Sequence, residues 1–313
     1  MIVRGFIMSP LVAIPGPTGS GKSELALVVA ERYGGEVVNF DSIQVYRHFE
    51  IGAAKLSESE RRGIPHHLID LLEPTEVFTA GEFARRAAQT VREIRDRGRL
   101  PILAGGTGLY LRALLDGLFP GPTRDEGLRR RLARRSGPRL HKLLERFDPA
   151  AAKRIHPNDR PKLIRALEVI LLAQRPITEL FAEGRQSLQG FRVLKVGLHP
   201  ERNALYDRIN QRTEAMFAAG LVEEVRQILA RGYPDTCKPF ESHGYRQALQ
   251  HLRGELDLRE AVFYAQRNTR HYAKRQITWC RREKDVEWFR GFGDDPGIQE
   301  PVLTRIGVFQ APV

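Results

Sequence analysis

The chain has 313 residues, is 42% apolar and carries a net charge of +12; it is too apolar for a disordered chain and long enough for one large domain or two modest ones. Its two cysteines, Cys237 and Cys280, fit no metal spacing and no disulfide framework, which points to a reducing cytoplasm. No apolar run approaches the ~18 residues of a membrane span, and residues 1–8 lack a leader-like apolar segment and a cleavage site. Met8, directly ahead of the first strand signal, is a second candidate start.

Residues 10–14 (PLVAI) read as a buried parallel strand. Gly16, Pro17, Thr18, Gly19, Ser20, Gly21, Lys22 and Ser23 follow and fit G-x-x-x-x-G-K-[ST]. A helical pattern then runs over 23–32 and stops near Gly34-Gly35. Strand, glycine-rich loop and helix N-terminus together make an anion site, because successive backbone N–H groups converge there and the helix dipole adds positive potential. Lys22 can reach a terminal phosphate oxygen, and the Ser23 hydroxyl can hold Mg²⁺. A chance glycine-rich turn would lack these flanks. The loop implies a bound diphosphate or triphosphate without naming it.

A second strand, 36–40, ends at Asp41-Ser42, where an open α/β sheet places its ligand crevice. Asp41 is therefore a site carboxylate, as base or indirect Mg²⁺ partner, or else a cap. Residues 51–60 read as a loop and a short capped helix, and His66 and His67, being neighbours, point opposite ways on a strand, which favours structural or substrate-contact roles over a shared metal. Thr79 and Glu82 have capping-box spacing and open a helix that runs to Arg97. Strand 100–104 runs into Gly105-Gly106-Thr107-Gly108, a second turn that permits close backbone approach to a ligand, and 109–115 is helical.

From Pro120-Gly121-Pro122 the character changes. Between Gly121 and Gly197 there are 18 Lys/Arg against 8 Asp/Glu, leaving 32 against 30 in the rest of the chain. Charge concentrated in one segment is an electrostatic footprint for a polyanion, whereas solvated helix faces would spread it. The block is helical over 128–135, 140–147, 150–154 and 162–173, and the next strand signal is 191–198. The chain thus reads as an α/β core, 8–120 and 191–290, with a helical nucleic-acid-binding insertion at 121–190. A helix from Pro200 carries Arg208 and Arg212 one turn apart on one face. The last long element, 260–289, interleaves Arg267, Arg270, Lys274 and Arg281 with Tyr264, Tyr272, Trp279 and Trp288, a mix that suits backbone contact plus base stacking or an amphipathic packed helix. The Gly/Pro-rich tail 291–313 reads as loose.

Together these stretches resemble the tRNA dimethylallyltransferases (tRNA isopentenyltransferases) over 11–288. The motifs are GPTGSGKS at 16–23, FDSIQVYRHFEIGAAK at 40–55, PHHLID at 65–70, PILAGGTGLYLRALL at 101–115, HPNDRPKLIRALE at 156–168, LYDRINQR at 205–212 and YAKRQITWCRR at 272–282. The resemblance implies a P-loop NTPase-like parallel sheet flanked by helices, with an inserted all-helical tRNA-binding domain. It implies transfer of a dimethylallyl group from dimethylallyl diphosphate to N6 of the adenosine just 3′ of the anticodon, with Mg²⁺ as cofactor, by a monomeric cytoplasmic enzyme. Thr18 and the P-loop amides would bind the diphosphate, Lys22 and Ser23 would neutralise it, Asp41 would accept a proton, and Arg212 would clamp the leaving group. Asp41, Ser42, Ile43 and Gln44 would face the target nucleotide, Thr107 would contact the tRNA or the diphosphate across the reaction channel, and Arg129, Arg160, Lys162, Arg165, Arg270, Lys274 and Arg275 would be further tRNA contacts. The chain departs from the family pattern in three places: Ile43 replaces a usual arginine, Pro161-Lys162 interrupts a run usually richer in Gln and Arg, and His243 replaces an apolar residue. The P-loop alone leaves two rivals open, a small-molecule kinase using ATP and a non-catalytic RNA-binding ATPase module.

Overall fold

A computed structural model describes residues 8–311; the stretch 1–7, read above for a leader, lies outside the described residues. Six strands form one parallel sheet in the order β3-β2-β4-β1-β5-β6. They are β1 (Ser9–Pro15), β2 (Gly35–Asn39), β3 (His66–His67), β4 (Leu100–Gly105), β5 (Phe191–Leu198) and β6 (Val286–Phe289). Strands buried on both faces need helices on both, and β1, β2 and β4 are almost continuously buried. α1 (Lys22–Tyr33), α2 (Ala80–Asp96) and α3 (Gly108–Leu115) follow β1, β3 and β4. Thr79 Oγ1 accepts from the Glu82 amide at 3.1 Å and caps α2 as its spacing requires. Residues 57–60, expected to hold a short helix, instead lead into turns over 58–63, and Glu60 accepts from the Ser57 amide.

The chain divides into two compact units, one of 115–188 and one of the remainder. The smaller unit holds α4 (Glu126–Ala133), α5 (Gly137–Phe147), α6 (Pro149–Arg154), α7 (Arg160–Ala173) and α8 (Ile177–Ala182). Its own core contains Leu128, Leu132, Leu140, Leu144, Leu163 and Leu167. Glu168 is fully buried in it and is matched by Arg129 at 3.0 Å, Arg165 at 2.8 Å and the Asp125 amide at 2.8 Å. A buried carboxylate is tolerable only when paired this way.

The larger unit continues with α9 (Arg202–Ala218), α10 (Leu221–Ala230), α11 (Tyr245–Leu252), α12 (Leu258–Cys280) and α13 (Pro296–Gln310). Two expectations fail here. The element expected over 260–289 is two elements: α12 ends at Cys280, and Trp288 sits on β6, which pairs with β5. No Gly or Pro marks that break; Asp285 makes the turn at φ +57°. The tail is also not loose. Pro296 lies in the first turn of α13, where a proline is favoured, and Asp295 caps it by accepting from the Gly297 amide at 2.9 Å. Val302 and Ile306 are fully buried against β1 and α1 residues, each contributing roughly 1.5–3 kcal/mol. The punctuation in the tail is that of a helix start, which by composition looks like a linker.

Candidate active site

The C-terminal ends of β1, β2 and β4 open onto a cavity of about 640 Å³. Its lining includes Thr18, Gly19, Gly21, Lys22, Ser23, Asp41, Ser42, Ile43, Gln44 and Arg212. The P-loop turns through Gly19 and Gly21, both with φ near +80° (82° and 81°), a backbone state costly for any other residue. Gly21 is also the N-cap of α1 and supplies no side-chain acceptor, so the first amides of the helix are left for an anion. Gly16, Pro17 and Ser20 lie buried behind this surface; the Ser20 hydroxyl has no hydrogen-bond partner there.

Lys22 Nζ donates to the Pro17 carbonyl at 2.6 Å. Burial, then the charge of Arg212, push its pKa down to about 8, against the pull of Asp41. Arg212 donates to Thr18 Oγ1; burial and the neighbouring Arg208 lower its pKa too, with Asp41 again opposing. Each of these cations is thus held in a poorly solvated place that favours an incoming anion. Arg208 lines the same cavity one turn before Arg212.

Asp41 Oδ1 accepts from the amides of Ile43 (2.8 Å) and Gln44 (3.4 Å), while its own amide donates to Asn39 Oδ1 at 3.0 Å. The two readings of Asp41 are therefore compatible: one oxygen caps the turn, and the other makes no bond among the described residues. Gln44 Nε2 donates to the carbonyls of Ala53 (3.0 Å) and Ala54 (3.3 Å), which leaves its own carbonyl as the available end. Ile43 presents an apolar side chain where a charge was usual. Thr107 does not line the cavity; its Oγ1 accepts from the Ser42 amide at 3.1 Å and holds that residue from behind.

Gln276, within the 272–282 motif, lies on α12. It is 5% exposed. Its Oε1 accepts from the Thr18 amide at 2.8 Å, and its Nε2 donates to the Gly106 carbonyl at 2.9 Å. It ties the P-loop to the second glycine turn. A Cβ on Gly106 would collide with Gln276 Nε2, and one on Gly108 with the Trp279 ring. Gly105 and Gly106 line the cavity, as a turn that admits a ligand should, and Gly106 and Gly108 also make room for α12. Tyr272, one turn before Gln276, lies beside Thr107 and has its pKa raised to about 12, mainly by burial. His243 lines the cavity 5.3 Å from the Tyr272 ring and is pushed down to about 4 by burial, then by Arg275, Arg246 and His271. It is neutral at physiological pH, a polar but uncharged substitute for an apolar residue. Helical period over 272–280 could have separated this inward face from the outward one.

The outward face of α12 forms a groove of about 480 Å³ lined by Arg112, His271, Lys274, Arg275, Thr278, Trp279 and Arg282. The Arg112 guanidinium stands 5.1 Å over the Trp279 ring, and Arg275 stands 5.6 Å over Tyr272. Cations on aromatic planes suit single-stranded nucleic acid. Arg270 is turned elsewhere and donates to Asn210 Oδ1 on α9. In the smaller unit Arg160 donates to the Ala133 and Arg135 carbonyls, and the exposed Lys162 pairs with Asp159 at 2.6 Å.

For Mg²⁺, the described residues contain no cluster of three or more His, Cys, Asp or Glu. The hydroxyl of the exposed Ser23 lies at the cavity without a hydrogen-bond partner among the described residues, a hard oxygen donor of the kind Mg²⁺ takes alongside phosphate oxygens and water. No helix among the described residues is long and apolar enough to cross a membrane.

Residues 44–283 match the family model described as IPP transferase. A tRNA dimethylallyltransferase of Solibacter usitatus is 64% identical over 304 residues, covering 96% of this chain and 99% of that protein. One of Koribacter versatilis is 56% identical, covering 92% and 95%. Among solved structures, a tRNA isopentenylpyrophosphate transferase of Bacillus halodurans superposes with a TM-score of 0.70 at 39% identity, covering 96% of this chain and 95% of its own. A eukaryotic dimethylallyltransferase described as acting on tRNA superposes with a TM-score of 0.83 at 25% identity, covering 97% and 81%. A family model matched over 44–283 and relatives matched over 92–97% of the chain make it a member of the tRNA dimethylallyltransferase family.

Proposed function

We propose that the protein transfers a dimethylallyl group from dimethylallyl diphosphate to N6 of the adenosine 3′-adjacent to the anticodon of tRNA and releases diphosphate. The observation that carries this is one cavity holding two chemistries: an uncapped helix N-terminus with Lys22 and Arg212 on one side, and Asp41 and Gln44 on the other. A cavity of about 640 Å³ is within the ~300–1,000 Å³ of small-molecule sites and has room for a five-carbon diphosphate and one base. The kinase alternative has no support among the relatives, whose names are those of transferases of dimethylallyl or isopentenyl groups.

The exocyclic amine of adenine is a weak nucleophile, because its lone pair is delocalised into the ring. The carbon–oxygen bond of the donor must therefore loosen early, and its leaving charge must be met by groups already in place. Lys22, Arg212 and the α1 amides do this, and their poor solvation makes each worth more to an anion. Mg²⁺, held by Ser23, would add charge neutralisation to the leaving diphosphate. As the new N–C bond forms, the amine becomes cationic and releases a proton to the unengaged oxygen of Asp41, for which an ordinary carboxylate suffices. The Gln44 carbonyl accepts from the remaining N–H. To reach these groups the base leaves its stack, as in other base-modifying enzymes.

The helical unit 115–188 would grip the tRNA. Arg129 and Arg165 are already matched by Glu168, so the exposed Arg130, Arg131, Arg134, Arg139 and Lys142 are better placed to meet phosphates. Lys274 and Arg275 would do so from the α12 groove. A transfer assay tests the whole reading: labelled donor and an anticodon stem-loop give labelled RNA, whereas a kinase consumes ATP without RNA and a binding module gives neither. ATP turnover with no transfer would dispose of it.

A further inference from the structure

The segment 291–295, read by composition as a loose tail, is packed on the P-loop. The Gly293 amide donates to the Ser20 carbonyl at 2.9 Å, and a Cβ on Gly21 would lie 2.7 Å from Gly293 N and 2.5 Å from Asp294 Oδ1. The segment is held from its other side as well, by Gln299 Nε2 donating to the Gly293 carbonyl at 3.0 Å and by Asp295 capping α13. A carboxylate, Asp294, is thereby fixed against the N-cap of α1, the place where the helix presents its positive end. It takes Arg208 in a two-pronged ion pair, 2.7 Å on each prong. The guanidinium also lies 4.7 Å over the Phe292 ring.

Arg208 lines the cavity with Lys22 and Arg212, and its charge is felt at Arg212. A guanidinium has five N–H donors, of which Asp294 engages two; the others remain for a second acceptor. The hydrogen bonds from Arg208 hold the Asp294 carboxyl below the usual carboxylate range, so the pair is ionised at neutral pH. A cradle of Lys22, Arg208, Arg212 and helix amides with no counter-charge would hold the product as tightly as the departing group. Since only interactions stronger in the transition state accelerate the step, uniform tightness would slow release without helping chemistry.

We propose that Arg208 is a further diphosphate ligand and that Asp294 is its resident counter-ion, placed by the C-terminal segment to weaken the grip on diphosphate. This rests on the reading of the P-loop as a diphosphate site. The test uses the full chain and inorganic pyrophosphate as probe, by calorimetry and as a product inhibitor. Asp294→Asn keeps the shape and removes the charge. It is expected to bind pyrophosphate roughly three- to tenfold more tightly, the scale of one partly exposed charge acting on another. Donor KM and kcat should fall together. Arg208→Gln should bind it more weakly by a similar factor, and in the double variant the gain from Asp294→Asn should vanish. Unchanged or weaker binding by Asp294→Asn overturns the proposal, and unchanged binding by Arg208→Gln does so whatever the first variant shows. If the wild-type chain itself does not bind pyrophosphate, the P-loop reading fails instead, so the two failures are distinguishable.

Discussion

Gln276→Ala is expected to damage the site by releasing the two backbone groups that this cavity-lining side chain holds. The side chain is 5% exposed and satisfies two buried backbone groups, the Thr18 N–H at 2.8 Å and the Gly106 C=O at 2.9 Å. Leaving either unpaired costs about 1–3 kcal/mol, so a total near 2–5 kcal/mol is expected after partial relaxation or entry of water. Thr18 also receives Arg212 through its hydroxyl, so a loosened Thr18 misplaces the clamp on the leaving group. A shift of about 1 Å in such a positioned group is enough for a loss of about a hundredfold in rate. Gln276→Glu keeps an acceptor for Thr18 but faces the Gly106 carbonyl with a second oxygen and adds an anion beside the diphosphate cradle. The assays are denaturant unfolding, pyrophosphate affinity and transfer kcat. If Gln276→Ala is less stable yet keeps wild-type affinity and kcat, the lock between the two glycine turns has no part in positioning the site. If stability is also unchanged, the two hydrogen bonds contribute nothing.

Asp41→Ala should lower turnover by about a hundredfold or more while tRNA affinity changes little, since general-base catalysis contributes about that much; wild-type turnover would remove Asp41 from the chemistry. Burial and then Arg212 lower the Lys22 pKa to about 8 from the 10.5 of an unfolded chain, so the folded chain holds fewer protons in that window and this group makes stability rise with pH there. Bound diphosphate restores the charged form, so binding near pH 8–9 should take up a proton, visible as a dependence of calorimetric heat on buffer, and affinity should fall as pH rises past 8. A pH-independent affinity across that range would contradict the assignment. Replacing exposed Arg130, Arg131 and Arg134 with Gln should flatten the salt dependence of tRNA affinity by roughly 0.7–0.9 in log–log slope per lost phosphate contact, whereas an unchanged slope would move the RNA elsewhere. Arg129→Ala should instead destabilise the helical unit, because the fully buried Glu168 loses one of its two guanidinium partners; unaltered unfolding would show that Arg165 alone suffices.

Much of the site was legible because its residues are local in sequence. Gly16 to Ser23 must turn tightly and expose amides, and only a pattern of glycines with Lys-Ser does that, so the loop is readable wherever it falls. Asp41 was placed by its position past a strand, and Thr79 with Glu82 by cap spacing, both short-range rules. The helical unit showed itself by period and by its +10 charge excess between 121 and 197.

What the amino-acid order alone determined is therefore the anion-binding loop, the parallel sheet and the basic helical block, each encoded within a few turns or strands of chain. Folding in three dimensions decided which distant residues meet. Gln276 reaches Thr18 across 258 positions, Asp294 reaches Arg208 across 86, and Glu168 claims Arg129 across 39. None of these pairs has a spacing that a helix or strand would dictate. Their partners are selected by burial, since a hidden amide, carboxylate or guanidinium must find a match somewhere, and the chain only shows where once its core has closed.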